Sequence, residues 1–136
     1  MQVSDREKKD RLPPNIREIL LYPQMNVNLV SEISRLELAK AFSKEAKKRY
    51  GARIDEIILY GSVARGEDGK DSDIDLLVIT RERIPHIQRD ISGMAFDSGF
   101  ETHEKLSAQA YSRPYIEEHK ELTFFQNIME EGMRIG

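Results

Sequence analysis

From Ser31 onward, apolar residues recur every three or four positions: Ile33, Leu36, Ala39, Phe42, Ala46 and Tyr50 form one stripe that stops at Gly51. That spacing predicts an amphipathic helix with a glycine stop. Lys40, Lys44, Lys47, Lys48 and Arg49 fall on the other side and read as a solvated face whose positive end complements the helix dipole. The period then changes. Ile57-Ile58-Leu59-Tyr60 reads as a short buried strand, and Leu76-Leu77-Val78-Ile79 is the continuous branched run of a strand covered on both faces. A second helix is expected over 85–96, with Ile84, Ile87, Ile91 and Met94 or Ala95 inward and a close near Gly99. A third strand is expected over 101–107. The tail over 113–135 predicts one or two helices with Leu122, Phe125, Ile128 or Met129 and Met133 inward and Tyr115 and Phe124 at the edge.

Before these elements, residues 1–15 are rich in charge and carry Pro13-Pro14, while Ile16, Ile19, Leu20 and Leu21 allow one helical turn before Pro23. The expected organisation is a charged arm over 1–28 and one domain over 29–136. A chain of 136 residues suits a single domain with a modest core. It has no cysteine, so disulfides and Cys-based zinc sites are excluded and a reducing, cytoplasmic setting is expected. Its longest apolar runs are far too short to span a bilayer. A net charge of -3 with 33% charged residues argues against broad nucleic-acid binding.

Candidate chemistry lies in LYGSVARGEDGKDSDIDLLVIT, residues 59–80. Side chains alternate along a strand, so Asp73 and Asp75 point to one face. Two carboxylates held that close repel as anions, and a hard cation, Mg2+ or Mn2+, relieves the repulsion. Two ions about 3.5–4 Å apart would suit in-line attack on a nucleotide phosphate. Upstream, a strand ends at Gly61-Ser62 and Val63-Ala64-Arg65 open a short helix with Ser62 near its start. Such a start offers free backbone N–H groups to anionic oxygens, and Gly61 lets a phosphate come close. Arg65 either adds a contact to the phosphates or pairs with Glu67. Residues 66–71 read as a solvated polar loop.

The ordered set of strand, Gly-Ser, short helix, polar loop and Asp-x-Asp strand resembles the polymerase-β-like nucleotidyltransferase superfamily. The longer match, G-S-x-A-R-G with S-D-I-D-L, is similar to the minimal nucleotidyltransferase group. The likeness is strongest over 57–80, and FFQNIMEEGMRI resembles the group's C-terminal helix. It implies an α/β (α+β) fold, a small mixed sheet flanked by helices, with Mg2+ or Mn2+ and ATP or another NTP as substrate. It also implies that Ser62 touches phosphate and that Asp73 and Asp75 hold metal. Many of these proteins work beside a HEPN-type partner protein, some as antitoxins that transfer AMP to it.

Members of the superfamily often carry a third carboxylate on an adjacent strand. If Phe100 and Leu106 face the helices, Glu101, His103, Lys105 and Ser107 face the other way, which makes Glu101 the candidate. Glu104 has that place only if a bulge intervenes. His103 is a further base candidate, set against a solvated role, while His86 and His119 read as surface residues. Without a third carboxylate the same pocket would serve a nucleotide- or partner-binding module with weak catalysis. A small hydroxylated acceptor, such as an aminoglycoside, shares the site and differs only in what it receives. Homo-oligomerisation is left open.

Overall fold

The computed structural model describes residues 27–136, with side chains from Arg35 onward. The elements run α1 (Val27–Tyr50), a 3-10 turn (Gly51–Arg53), β1 (Ile54–Tyr60), α2 (Gly61–Arg65), β2 (Ile74–Thr80), α3 (Ile87–Thr102), β3 (Leu106–Ser112), α4 (Arg113–Glu118), α5 (Thr123–Glu131) and β4 (Met133–Arg134). The arm expected over 1–28, with its helical turn, lies outside the described residues except for Val27 and Asn28, which belong to α1. This helix already runs through Ser31, since no glycine or proline stands between Val27 and Ser31 to stop it. It ends where expected, at Gly51.

The sheet has the order β3-β2-β1-β4, with β2 parallel to β3 and antiparallel to β1, and β4 antiparallel to β1. It is the small mixed sheet expected. Strand alternation divides its side chains between two layers. Ile57, Leu59, Ile74, Leu76, Val78 and Ala108 face α1 and α3, against Leu38, Ala39, Phe42, Ala46, Ile87, Ile91, Met94 and Ala95. Ile58, Leu77 and Ile79 face α4 and α5, against Ile116, Phe125 and Ile128, with Tyr60 and Tyr111 at the margin. Both faces of β2 are therefore covered, which is why Leu76 through Ile79 are all fully buried.

Three expectations need correction. The helix expected over 85–96 runs to Thr102, and Gly99 lies inside it. Gly99 is a point of close approach: a Cβ there would collide with the Glu104 carbonyl as the chain turns back. His103, at φ +58, closes the helix. The third strand consequently spans Leu106–Ser112 and not 101–107. Its sequence, LSAQAYS, has little intrinsic strand preference. It becomes a strand because seven residues pair in register with β2, from Ile74↔Leu106 to Thr80↔Ser112, while Ala108 fits beneath α3. In the tail, Phe125 and Ile128 are buried, whereas Leu122, Met129 and Met133 are exposed. Met133 belongs to β4, a strand too short to carry a period.

The end of β1 opposite the motif is tied by charge. Arg113, at the start of α4, donates to Asp55 at 2.7 and 3.0 Å and to Glu56 at 2.6 Å. The hydrogen bond from Arg113 holds the Asp55 carboxyl below its ordinary pKa. Among the described residues no helix is long and apolar enough to cross a membrane.

Candidate active site

Gly61 and Asp75 meet where β1 gives way to α2. Tyr60 pairs with Asp75 across the β1–β2 ladder, so the next residue, Gly61, passes over the Asp75 carboxylate. Gly61 has φ +78, and a Cβ there would collide with Asp75 Oδ2. Only glycine meets both conditions without strain. The helix α2 begins at Gly61 itself, with Tyr60 as its cap residue and no side-chain cap, so Ser62 is its second residue. It stops at Gly66, whose φ of +69 is the usual left-handed ending.

Asp75 is the second residue of β2 and has the parity of Leu77 and Ile79, on the α4/α5 side of the sheet. Asp73 stands just before the strand and has the same parity. Burial, and then the negative charge of Asp73, push the Asp75 carboxyl above its ordinary pKa, with Arg65 acting in the opposite direction. The two aspartates thus feel each other as like charges, as their spacing predicts. Lys105, which precedes β3, brings Nζ to 3.7 Å from Asp73 Oδ1. The ammonium is largely exposed and counts for little as an ion pair.

Burial, followed by the Asp75 charge, raises the Tyr60 phenol to about 12. A phenol whose folded pKa lies above its unfolded value favours folding below about 10 and loses that contribution as the pH rises towards about 12. In an ultraviolet titration Tyr60 should therefore ionise well above the ordinary phenol range, and earlier in Asp75→Asn. A Tyr60 titration unmoved by that substitution would mean that the two groups are not coupled.

The remaining candidates separate. Arg65 pairs with Glu67 at 3.0 Å and with Glu131 of α5 at 3.6 Å, on the rim beside Gly61. A hollow of about 230 Å³ opens there, lined by Tyr60, Gly61, Arg65, Phe124, Asn127, Ile128 and Glu131. Glu101, expected on the third strand, lies in the last turn of α3 and lines a groove with Phe42, Glu45 and Lys48 of α1. Placing it on a strand was wrong because the helix continues past Gly99. Glu104 precedes β3 and accepts a hydrogen bond from Arg35 at 3.2 Å. The β3 residue paired with Asp75 is Ser107, followed on that face by Gln109, which pairs with Leu77. Among the described residues no group of three His, Asp or Glu comes together to hold a metal. His86 precedes α3 and is exposed, and His119 stacks on Tyr115 with ring centres 4.0 Å apart. Lys105 was missed because its role depends on where β3 begins.

The model of the nucleotidyltransferase domain matches residues 39–129, which include both halves of this site. The chain belongs to that family. The nucleotidyltransferase is similar to two proteins of Methanocaldococcus jannaschii, each named "Putative protein adenylyltransferase". One is 29% identical over 93 residues, 68% of this chain and 89% of the relative. The other is 36% identical over 47 residues, 35% of this chain and 48% of the relative. Among solved structures, a toxin–antitoxin crystallised with AMP-PNP matches with a TM-score of 0.52 and 15% identity, covering 71% of this chain and 72% of that one. A mutant of the toxin–antitoxin MntA-HpeT matches with a TM-score of 0.52 and 13% identity, over the same shares. At that identity the likeness speaks for the fold, and the resemblance to minimal nucleotidyltransferases read from the motif agrees with the family. The enzyme is a nucleotidyltransferase that uses a nucleoside triphosphate.

Proposed function

We propose that the enzyme transfers AMP from ATP to a hydroxyl group of a partner protein, and that a HEPN-type toxin is that partner, with this chain as its antitoxin. The observation that carries the reading is the packing of Gly61 against Asp75, which sets the Gly61-Ser62 turn directly beside a pair of like-charged carboxylates. In this reading the Gly61 and Ser62 N–H groups and the Ser62 hydroxyl receive the triphosphate. Arg65 leaves its rim carboxylates to join it. Asp73 and Asp75 fit Mg2+ or Mn2+, being hard oxygen donors whose mutual repulsion a cation relieves. Bound there, the ion would neutralise charge on the phosphates. The names of the archaeal relatives, and the toxin–antitoxin structures, one of them with AMP-PNP, support AMP and a protein acceptor.

The test is Mg2+-dependent transfer from α-labelled ATP to proteins of a source-cell lysate, with the other NTPs as competitors. A labelled protein that disappears with Asp73→Asn supports the reading, and nucleotide binding with no labelled protein would sink it. In calorimetric titration with ATP, Ser62→Ala should weaken affinity by about 1 kcal/mol for one ordinary hydrogen bond, and by more for a bond to a charged oxygen. An unchanged dissociation constant would return Ser62 to a turn role.

One observation favours a second reading, that of a nucleotide-binding module with weak turnover. The third strand presents Ser107 and Gln109 on the face of Asp75, and neither is a strong base. Slow single-turnover labelling beside tight ATP binding would identify it.

A further inference from the structure

Arg35 sits in the apolar stripe of α1, one turn before Leu38 and Ala39, and only 3% of it is exposed. A buried guanidinium must satisfy its donors, and here they are satisfied by segments far apart in sequence. Nη1 donates to Asp68 Oδ2 and to the Gly69 carbonyl, both at 2.6 Å, Nη2 to the Lys70 carbonyl at 2.9 Å, and Nε to Glu104 Oε2 at 3.2 Å. Asp68 is itself nearly covered. One side chain thus grips the loop between Gly-Ser and Asp-x-Asp and also the turn that leads into β3.

Both segments border Asp73. The loop reaches it three residues after Lys70, through a turn in which the Gly69 N–H donates to Ser72 Oγ at 2.8 Å and the Ser72 N–H to the Gly69 carbonyl at 3.2 Å. Beside it, the Ile74 N–H donates to the Lys105 carbonyl at 2.8 Å, one residue beyond Glu104. Asp73 precedes the regular ladder of β2, so strand pairing alone does not hold it. Resting on the reading of Asp73 as a reaction-site carboxylate, we propose that Arg35 is a positioning residue of the active site, setting the place of Asp73 by fixing the loop that leads into it and the turn that lies beside it. A planar fork with several donors suits this task, and the single ammonium of lysine cannot reach all four acceptors.

The experiment compares wild type, Arg35→Lys, and a triple variant, Arg35→Met with Asp68→Asn and Glu104→Gln, which removes the buried charges together so that no carboxylate is left unpaired. Melting temperature, amide hydrogen exchange and the rate of labelling from α-labelled ATP in lysate are measured. In Arg35→Lys, exchange over 66–73 and 103–106 should rise. Labelling at saturating ATP should fall by about tenfold to a hundredfold, the scale of a misplaced reacting group, while the ATP concentration for half-maximal rate changes by less than about twofold. The triple variant should melt near wild type and still label slowly. Recovery of labelling with recovery of melting temperature would make Arg35 a structural ion pair and overturn the proposal, as would full labelling by Arg35→Lys. If the wild type labels nothing, the functional reading fails on its own. Exchange then still decides on the anchor, with a rise over 66–73 supporting it and no change overturning it.

Discussion

Asp75→Asn is expected to reduce transfer by about 10²- to 10³-fold or more and, without divalent metal, to raise the melting temperature by a few degrees. On the proposed mechanism the loss follows from removing one of the two carboxylates that would hold the cation neutralising charge on the phosphates. The gain follows from the direction of the Asp75 shift. Burial and the Asp73 charge hold its carboxyl above the ordinary pKa in the folded chain. Such a group favours folding below its unfolded pKa, and that contribution is lost as the pH rises through the folded value. Above that folded pKa the ionised Asp75 therefore opposes folding, and an asparagine of the same shape does not. Thermal melts in EDTA, and again with Mg2+ and ATP, separate the two effects: wild type should gain stability from the ligands and Asp75→Asn should not. Asp73→Asn should lose activity to a similar extent. A lower metal-free melting temperature for Asp75→Asn would mean that the carboxylate is a structural acceptor and that the like-charge account is wrong.

Gly61→Ala should damage both stability and nucleotide binding. At φ +78 an alanine is strained by about 1–2 kcal/mol before any contact is counted. Its Cβ would also drive the Asp75 carboxylate from its place. Gly66→Ala provides the control, since Gly66 has a similar φ of +69 but nothing within 4 Å of the added carbon. The Gly66 variant should show the strain alone, whereas the Gly61 variant should in addition lose ATP affinity. Denaturant unfolding and calorimetric titration with ATP measure the two quantities. Equal effects from both substitutions would remove the close approach of Gly61 to Asp75 from the account of the site.

The parts legible in the sequence are those whose cause is local. A period of three to four residues stopped by glycine is enough for α1, and continuous branched runs are enough for β1 and β2. Alternation along one strand places Asp73 and Asp75 on one side, and a glycine followed by serine between a strand and a short helix marks the turn into α2. Each of these follows from backbone geometry within a few residues. Arg35 left a trace as well, a lone charge within an apolar stripe, although its partners lie 33 to 69 residues away and no spacing reveals them.

Tertiary structure decided the rest. LSAQAYS becomes a strand through pairing with β2 and cover from α3, overriding its weak propensity. Gly99 reads as a stop in sequence, yet the helix continues through it because the returning Glu104 carbonyl occupies the space a side chain would need. That one difference in length carries Glu101 into a groove between two helices, sets Ser107 opposite Asp75, and brings Lys105 to Asp73. The sequence by itself determined the reaction class and put the two aspartates on one side of a strand. Only packing decided what surrounds them, because a side chain's neighbours across a sheet depend on where the next strand starts.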